Sequence, residues 1–203
     1  KARLQKPLEA HFHNDFGLAN ANSLAAVEEG AEVIHSTVLG MGERAGQAST
    51  EQIALALELL YGFDTGIQFD KLTGLTKTVA ELTGHLMPLN QPVAGEAMYQ
   101  LESGIPSAWW LKCKDERPTE VFPILPSFVG QKDVEIVLGK GSGADSVLYW
   151  LRQMGMDATP EQAMDLAMMV KEHAIAHKRL VTPEELCEMA ERYQSAETAT
   201  GEG

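Results

Sequence analysis

Residues 8–49, LEAHFHNDFGLANANSLAAVEEGAEVIHSTVLGMGERAGQAS, carry the clearest secondary-structure signals of the sequence. Over residues 8–13, apolar and polar residues alternate as in a strand, and the turn-forming residues NDFG follow. Apolar residues at helical spacing then predict a helix over 18–29, closed by Gly30. The β-branched run over 31–40 predicts a second strand.

A second helix follows the second strand. The loop MGERAGQAST ends on Ser49 and Thr50, either of which is placed to cap a helix running from about Glu51 to Tyr61. The first sixty residues therefore predict strand, helix, strand, helix, which is the repeat of an α/β fold with parallel strands. Because chemistry in such folds sits at the carboxyl ends of the strands, the residues that end each strand become candidates for a site.

The rest of the chain predicts helices joined by loops, a short extended segment that enters a glycine-rich turn over 134–143 (VEIVLGKGSG), and a polar tail that we expect to be disordered. The predicted helices cover residues 69–82, 145–154, 160–177 and 183–194, with loops and short helices over 87–131.

The bulk composition is that of a globular protein. The 203 residues are 44% hydrophobic, and a net charge of −13 argues against nucleic acid or an anionic membrane surface as the main partner. Cys113 and Cys187 suggest neither a disulfide framework nor a zinc cluster, so we expect a cytoplasmic location. No apolar run approaches the roughly 20 residues that span a bilayer. The initial Lys indicates a fragment or a processed chain.

His11 and His13 are candidate metal ligands at the end of the first strand. Side chains two apart on a strand share one face, and their Cα atoms lie roughly 6 to 7 Å apart. Two imidazoles so placed can bind one divalent ion. On spacing alone, an ordinary histidine pair in a half-buried strand is the commoner case. For Asp15, a helix cap or a carboxylate behind the metal is favoured over direct ligation.

The glycine-rich loop after the second strand is the other candidate. Gly40, Gly42 and Gly46 would let the backbone approach a ligand closely, and Glu43 and Arg44 bring a charge pair into the loop. The alternative for this loop alone is a surface turn with a salt bridge.

The two motifs together resemble the DRE-TIM metallolyase superfamily. The pattern H-x-H-N-D-x-G-x-A-x-A-N, followed by T-x-x-G-x-G-E-R-A-G, is similar to the Claisen-condensing branch of 2-isopropylmalate, homocitrate and citramalate synthases. Segments 90–105 (NQPVAGEAMYQLESGI) and 136–147 (IVLGKGSGADSV) are similar too. The GERAG loop argues against the lyase branch.

The resemblance implies the fold. The chain would form the last two β/α units of a TIM (β/α)8 barrel, followed by a mostly helical C-terminal region of two small subdomains. The implied domains are a barrel part (1–62), a helical subdomain I (63–130), a helical subdomain II (131–194) and a disordered tail (195–203).

The resemblance also implies a function, that of a metal-dependent acyltransferase in amino-acid biosynthesis of the leucine type. Such an enzyme condenses acetyl-CoA, or another acyl-CoA, with a 2-oxo acid to give a 2-hydroxy diacid. His11 and His13 would bind the divalent metal (Mn, Mg, Zn or Co), with Gln47 where the family has an asparagine near it. The other implied site residues are Glu43 and Arg44 for catalysis, Thr37 and Gly40 for the substrate, and Lys140 for a CoA phosphate.

Three departures from the family pattern qualify this assignment. The family's aspartate ligand from the first barrel strand is absent, and two β/α units cannot close an eight-stranded barrel. We therefore expect that the chain needs an N-terminal barrel half and is inactive alone. The resemblance also implies a homodimer, because the family's C-terminal region crosses to the neighbouring subunit. Pro106 replaces the family's catalytic histidine after SGI, and Gly141 replaces the histidine of GKHSG. Glu102, His85 and Tyr99 are possible replacement bases.

Two other functions stay open. One is a retro-aldol lyase of the same superfamily, similar to HMG-CoA lyase, and the other is a non-catalytic or regulatory paralogue that retains the metal site. Outside this region, His173 and His177 share one face of a helix, for which a solvated surface is favoured over a metal site.

Overall fold

The computed structural model describes residues 5–200, with side chains as far as residue 195. Residues 1–4 and 201–203 lie outside the described part, and so does the end of the tail predicted over 195–203. The chain forms two compact units, the first reaching Met98 and including 126–132, the second made of 99–125 and the residues from Asp133 onward. The predicted mixed α/β class is confirmed, whereas the domain boundaries at 62 and 130 stay predictions.

The first unit contains two strands and three helices. Strand β1 is Glu9–Ala10, helix α1 is Ala19–Glu28, strand β2 is Val33–Ile34, helix α2 is Thr50–Leu59 and helix α3 is Leu72–Thr83. Short 3-10 turns cover Val38–Gly40, Phe69–Lys71 and Pro126–Val129. The strands pair in parallel, with Glu9 opposite Val33 and Ala10 opposite Ile34, as expected for a strand–helix–strand unit.

Both strands are shorter than the predicted ranges 8–13 and 31–40. Beyond the paired residues the chain makes single bridges, in which His13 pairs with Gln47 and Thr37 pairs with Ser49. The loop after β2 thus folds back over the carboxyl ends of both strands. It takes the hydrogen bonds that a longer strand pairing would use, which is why the ladder ends early.

The two faces of the β1–β2 pair differ in chemistry. On one face, Phe12 and Ile34 pack against the buried residues Ala19, Ala48 and Ile53, so α1 and α2 cover this face. Because strand side chains alternate, the opposite face carries polar side chains at its carboxyl end. These are Glu9, His11 and His13 from the first strand segment, and His35 and Thr37 from the second.

The helix ends in this unit largely follow the predicted signals. Helix α1 ends before Gly30, whose φ of 91° is the left-handed conformation that glycine adopts at such ends. The predicted side-chain cap of α2 is wrong, because Ser49 occupies the N-cap position without a side-chain hydrogen bond there. The Thr50 hydroxyl instead hydrogen-bonds the Ser36 hydroxyl at 2.9 Å.

The second unit is mainly helical. It contains β3 (Gln100–Leu101), α4 (Gly104–Cys113), β4 (Glu135–Ile136), α5 (Ala144–Gln153), α6 (Pro160–His177) and α7 (Pro183–Thr200). Strands β3 and β4 pair in parallel. Helices α5, α6 and α7 enclose a core that includes Leu151, Leu166, Val170 and Leu186, each 2% exposed or less.

Helix α6 covers the predicted residues because its start carries strong signals. The Thr159 hydroxyl accepts from the Gln162 backbone N–H, and the Gln162 side chain accepts from the Thr159 N–H. Pro160 occupies the first turn, where no backbone donor is needed. Helix α7 continues to Thr200, so the backbone over 195–200 is helical where we had predicted disorder. The helix can extend this far because the sequence before residue 195 contains no strong signal to end it.

The start of α7 is held by an ion pair that makes stability depend on pH. Arg179 donates to both carboxylate oxygens of Glu185, with one contact at 2.8 Å, and the Thr182 N–H adds a third bond at 3.0 Å. The Arg179 guanidinium, helped by that N–H, lowers the pKa of Glu185 from 4.5 to about 2. A depressed pKa means that the stabilisation is complete above pH 4.5 and is lost as the pH falls toward about 2.

We expect Glu185→Gln to flatten the acid side of the pH–stability curve. Urea unfolding followed at several pH values between about 2 and 6 would measure this, because protonation of Glu185 spans that window. The matched control is Glu188→Gln, which removes an exposed carboxylate of the same helix from a longer 3.7 Å pair with Arg192. An acid transition as steep in Glu185→Gln as in the control would contradict the assignment.

Within residues 5–200, every helix is either too short or too polar to cross a lipid bilayer.

Candidate metal centre

His11 and His13 bring their ring nitrogens together on the polar face of the strand pair. The two Nε2 atoms lie 3.3 Å apart, and the ring centroids are 5.0 Å apart with the planes at 71°. Two nitrogens bound to one metal at about 2.1 Å, with an angle between about 90° and 110°, lie about 3.0 to 3.4 Å apart. The observed separation therefore fits two adjacent ligands of one divalent ion.

The donor chemistry also fits a metal, which the two Nε2 atoms would bind. The Nδ1 atom of His13, the ring nitrogen away from that ion, is buried and has no hydrogen-bond partner among the described residues. Neutral imidazole nitrogens suit zinc, manganese, cobalt and iron. Within residues 5–195 no group of three or more His, Cys, Asp and Glu side chains is arranged to hold a metal. The two imidazoles are therefore a partial donor set.

The GERAG loop lies against the histidine pair through backbone bonds. His13 and Gln47 form an antiparallel bridge, and the Asn14 N–H donates to the Gly46 carbonyl at 2.9 Å. Bridged residues have neighbouring side chains, so Gln47, the position of the family's asparagine, is a neighbour of His13. The Asn14 side chain accepts from the Ala19 N–H at 3.1 Å and so joins the loop to the first turn of α1.

Gly40 and Gly46 are needed for the loop to close on itself. Both have positive φ, 66° and 80°, and the Gln47 N–H donates to the Gly40 carbonyl at 3.0 Å. A Cβ on Gly46 would lie 2.0 Å from the Gly40 oxygen. We had expected these glycines to let the backbone approach a ligand, whereas the close approach that the structure shows is between the two arms of the loop.

Arg44 pairs with Asp15 and not with its sequence neighbour Glu43. Its Nε and Nη2 donate to the two Asp15 oxygens at 2.9 and 3.0 Å, and the guanidinium lowers the pKa of Asp15. The two charges of the loop are therefore not paired with each other: Arg44, whose φ is 58°, binds Asp15, which lies between β1 and α1. The Asp15 carboxylate does not cap α1, whose N-cap residue is Leu18, and the first N–H of the helix donates to Asn14 instead. Glu43 is exposed, with no described side-chain hydrogen bond.

Thr37 and Gly40 begin the same loop. The Thr37 hydroxyl donates to the Met41 carbonyl, and the Gly40 N–H donates to the Thr37 carbonyl at 3.0 Å. Between them Leu39 has a φ of 62°, and its N–H donates to the buried Glu51 carboxylate at 3.1 Å. The Thr37 oxygen keeps lone pairs for a ligand, and Glu51 anchors the loop from the helix side.

Lys140 lies in the second unit and lines a cleft of about 500 Å³. Lys178, Arg179 and Glu102 line the same cleft. Glu102 accepts from the Gly141 N–H at 2.7 Å, so this carboxylate holds the GKGSG loop. That contact gives Glu102 a structural role in addition to the role of base considered above.

His173 and His177 stack on the surface of α6. Their ring centroids are 4.0 Å apart at 20°, and Nδ1 of His177 bonds the His173 carbonyl. The Nε2 of His173 lies 3.3 Å from Glu185, a carboxylate companion that the sequence did not indicate. Because Arg179 already binds both oxygens of Glu185, the group fits a structural ion-pair network better than a metal site.

Sequence reasoning missed several residues around the centre. His35 lies next to His11 across the strand pair, Glu9 accepts a hydrogen bond from His35, and Glu51 anchors the loop. Asn20 connects α1 to the end of the loop, since its side chain accepts from the Ser49 N–H at 2.9 Å. Glu51 could have been recognised as a charged residue within the buried stripe of α2. The positions of the other residues relative to His11 and His13 depend on the strand register, which the sequence does not show.

Comparison with known proteins agrees with the motifs. Residues 1–79 match the family described as HMGL-like. The chain is 41% identical over 180 residues to a putative (R)-citramalate synthase of Archaeoglobus fulgidus, covering 89% of this chain and 36% of that protein. It is 44% identical over 166 residues to a probable 2-isopropylmalate synthase of Methanopyrus kandleri, covering 82% and 32% respectively.

A third relative is a homocitrate synthase of Nostoc sp., 38% identical over 192 residues that make up 94% of this chain and half of the relative. The N-terminal part of the chain, residues 1–79, thus matches the HMGL-like family, and most of the chain is similar to citramalate, 2-isopropylmalate and homocitrate synthases. It spans between about a third and a half of the length of these relatives.

Proposed function

We propose that this chain forms the metal-binding part of an enzyme that condenses acetyl-CoA with a 2-oxo acid, in the manner of 2-isopropylmalate synthase. The observation that carries the proposal is the 3.3 Å approach of the Nε2 atoms of His11 and His13 beneath the GERAG loop. The relatives support it, because the three kinds of synthase that they represent belong to the Claisen-condensing branch.

The proposed fold places these residues at the mouth of a barrel. Parallel pairing of β1 and β2, with helices on one face only, is the arrangement of adjacent β/α units in a TIM barrel. In such a barrel the polar face faces the interior, and its carboxyl end is where substrates bind. The remaining strands and a third metal ligand would come from an N-terminal half.

Several residues of the site then have a proposed role in the reaction. His11 and His13 would hold the ion, and Gln47, the bridge partner of His13, is proposed to add an amide donor beside them. When bound, the metal supplies a Lewis acid that polarises the ketone of the 2-oxo acid. Thr37 and Gly40 are the proposed contacts of the substrate carboxylate. To donate to it, the Thr37 hydroxyl would turn away from the Met41 carbonyl, or the Gly40 N–H away from the Thr37 carbonyl. Arg44, held by Asp15 at a bidentate contact, keeps a positive charge at the loop.

The carbon–carbon bond forms between the two substrates. A base removes a proton from the acetyl methyl group, the resulting enolate attacks the ketone carbon, and hydrolysis of the thioester releases CoA and the 2-hydroxy diacid. Pro106 and Gly141 cannot supply that base, so Glu102, His85 and Tyr99 remain the proposed candidates. Lys140 is proposed to meet a phosphate of CoA, and the enzyme to be a homodimer.

Release of free thiol tests the proposal. The full-length protein that contains this chain would be mixed with acetyl-CoA, a divalent metal and, in turn, 2-oxoisovalerate, 2-oxoglutarate and pyruvate. We expect thiol release with at least one of these acids and its loss on chelation of the metal. No release with any of them would contradict the proposal. The 203 residues alone, tested in parallel, are expected to give no turnover.

A second candidate is a non-catalytic paralogue. Pro106 and Gly141 favour it, because both replace histidines of the family pattern with residues that cannot transfer a proton. Normal binding of metal and 2-oxo acid without turnover would support this function. Formation of acetyl-CoA from a hydroxyacyl-CoA, without condensation, would instead indicate a lyase.

A further inference from the structure

His35 and Glu9 complete the polar face on which His11 lies. The register places Ala10 opposite Ile34, and the His35 N–H donates to the Ala10 carbonyl at 2.9 Å. His35 is therefore the cross-strand neighbour of His11. Because alternate residues share a face, Glu9 and His35 point to the same side as the histidine pair.

The side chains on this face make two specific contacts. The Nε2 atom of His35 lies 3.1 Å from a carboxylate oxygen of Glu9. The His35 ring meets the His11 ring edge to face, with centroids 5.6 Å apart and planes at 74°. Glu9 thus fixes His35, and His35 in turn contacts one of the two proposed metal ligands.

His11 depends on such ring contacts for its orientation. Its only described side-chain hydrogen bond is the short approach to His13, so no carboxylate or carbonyl holds its Nδ1 atom within residues 5–195. The rings of His13 and His35 flank it, at 5.0 and 5.6 Å. Metal-binding histidines are ordinarily oriented by a hydrogen bond to the other ring nitrogen. Here a neighbouring ring takes that place.

We propose that His35, held by Glu9, is a positioning residue that fixes the ring plane of His11 for metal binding. The inference rests on the proposed metal site. Direct ligation by His35 is disfavoured, because its Nε2 is engaged by Glu9 and no three such side chains in the described region are arranged for a metal. The contact resembles an aromatic pair, in which edge-to-face geometry is preferred.

Cobalt binding by the full-length protein tests this role without relying on turnover. Competition with a chromophoric chelator gives the affinity, and the visible absorption of bound Co²⁺ reports the ligand geometry. We expect His35→Ala to weaken binding about tenfold or more and to alter the spectrum, as loss of an orienting partner does. Glu9→Ala should show a smaller effect in the same direction.

The variant His35→Phe separates ring packing from other effects. It keeps an aromatic ring beside His11 but loses the bond to Glu9, so we expect it to recover most of the affinity lost in His35→Ala. The matched control is His177→Ala, which removes an imidazole from α6 and should leave the affinity unchanged. Thermal unfolding of each variant shows whether a loss of affinity accompanies a loss of fold.

The possible results distinguish the positioning role of His35 from the metal site itself. Wild-type affinity and spectrum in His35→Ala would overturn the positioning role while leaving the metal site in place. Equal weakening in His35→Phe and His35→Ala, at unchanged thermal stability, would overturn it as well, since the ring contact would then not matter. Failure of the wild-type protein to bind cobalt would overturn the proposed function and this inference together.

Discussion

Replacing His11 by alanine is expected to lower kcat/KM of the full-length enzyme by about a thousandfold, which corresponds to roughly 4 kcal/mol of transition-state stabilisation. The reason is that the Nε2 atoms of His11 and His13 lie 3.3 Å apart and would share one ion. Loss of one imidazole leaves the described residues with a single nitrogen donor at the site. Thiol release at saturating metal measures the effect.

Further variants distinguish loss of the metal site from a general loss of folded protein. His13→Ala should cost about as much as His11→Ala, and the double variant little more than either alone, because the residues act as a unit. His177→Ala serves as the matched control for loss of an imidazole elsewhere. More than a tenth of wild-type kcat/KM in His11→Ala would show that the pair does not hold a catalytic metal.

Gly46→Ala is expected to have the second large effect, on the loop itself. A Cβ at this position would lie 2.0 Å from the Gly40 oxygen, on a residue whose φ is 80°. The loop must therefore open, and with it the pairing between His13 and Gln47. We expect a loss of about 2 to 4 kcal/mol in the free energy of unfolding and a fall in activity of more than tenfold.

Gly17→Ala is the matched control for this steric effect. Gly17 also has a positive φ, 73°, but nothing lies within 4 Å of the position of its Cβ. Its substitution should cost only the backbone term of about 1 to 2 kcal/mol. Urea unfolding of the two variants gives the comparison. Equal losses would mean that closure of the loop on Gly40 is not what requires glycine at position 46.

Local signals predicted the helices well because those signals act over a few residues. Thr159, Pro160 and Gln162 fix the start of α6 without help from distant residues. Gly30 likewise ends α1 through its own left-handed conformation. The strands were predicted too long because strand length depends on what pairs with them. The pairing of β3 with β4, which lie far apart in the sequence, left no local trace.

Those parts of the candidate site that depend on spacing along the chain could be predicted from the sequence. Those that depend on which strand residues lie opposite each other could not. His11 and His13 share a face because they are two residues apart, which any strand guarantees. The place of His35 beside His11 requires knowledge of which residue of β2 lies opposite β1. The pairing of Arg44 with Asp15 in place of Glu43 depends on how the loop folds back, which its glycines permit but do not specify.

Diffraction at the absorption edge of the metal, from crystals of the full-length protein grown with Mn²⁺ or Zn²⁺, locates the bound ion directly. We expect an anomalous peak about 2.1 Å from the Nε2 atoms of both His11 and His13, the distance of an imidazole ligand. Absence of a peak at this pair, with the metal present in the crystal or bound elsewhere on the protein, would show that the two histidines do not share a metal.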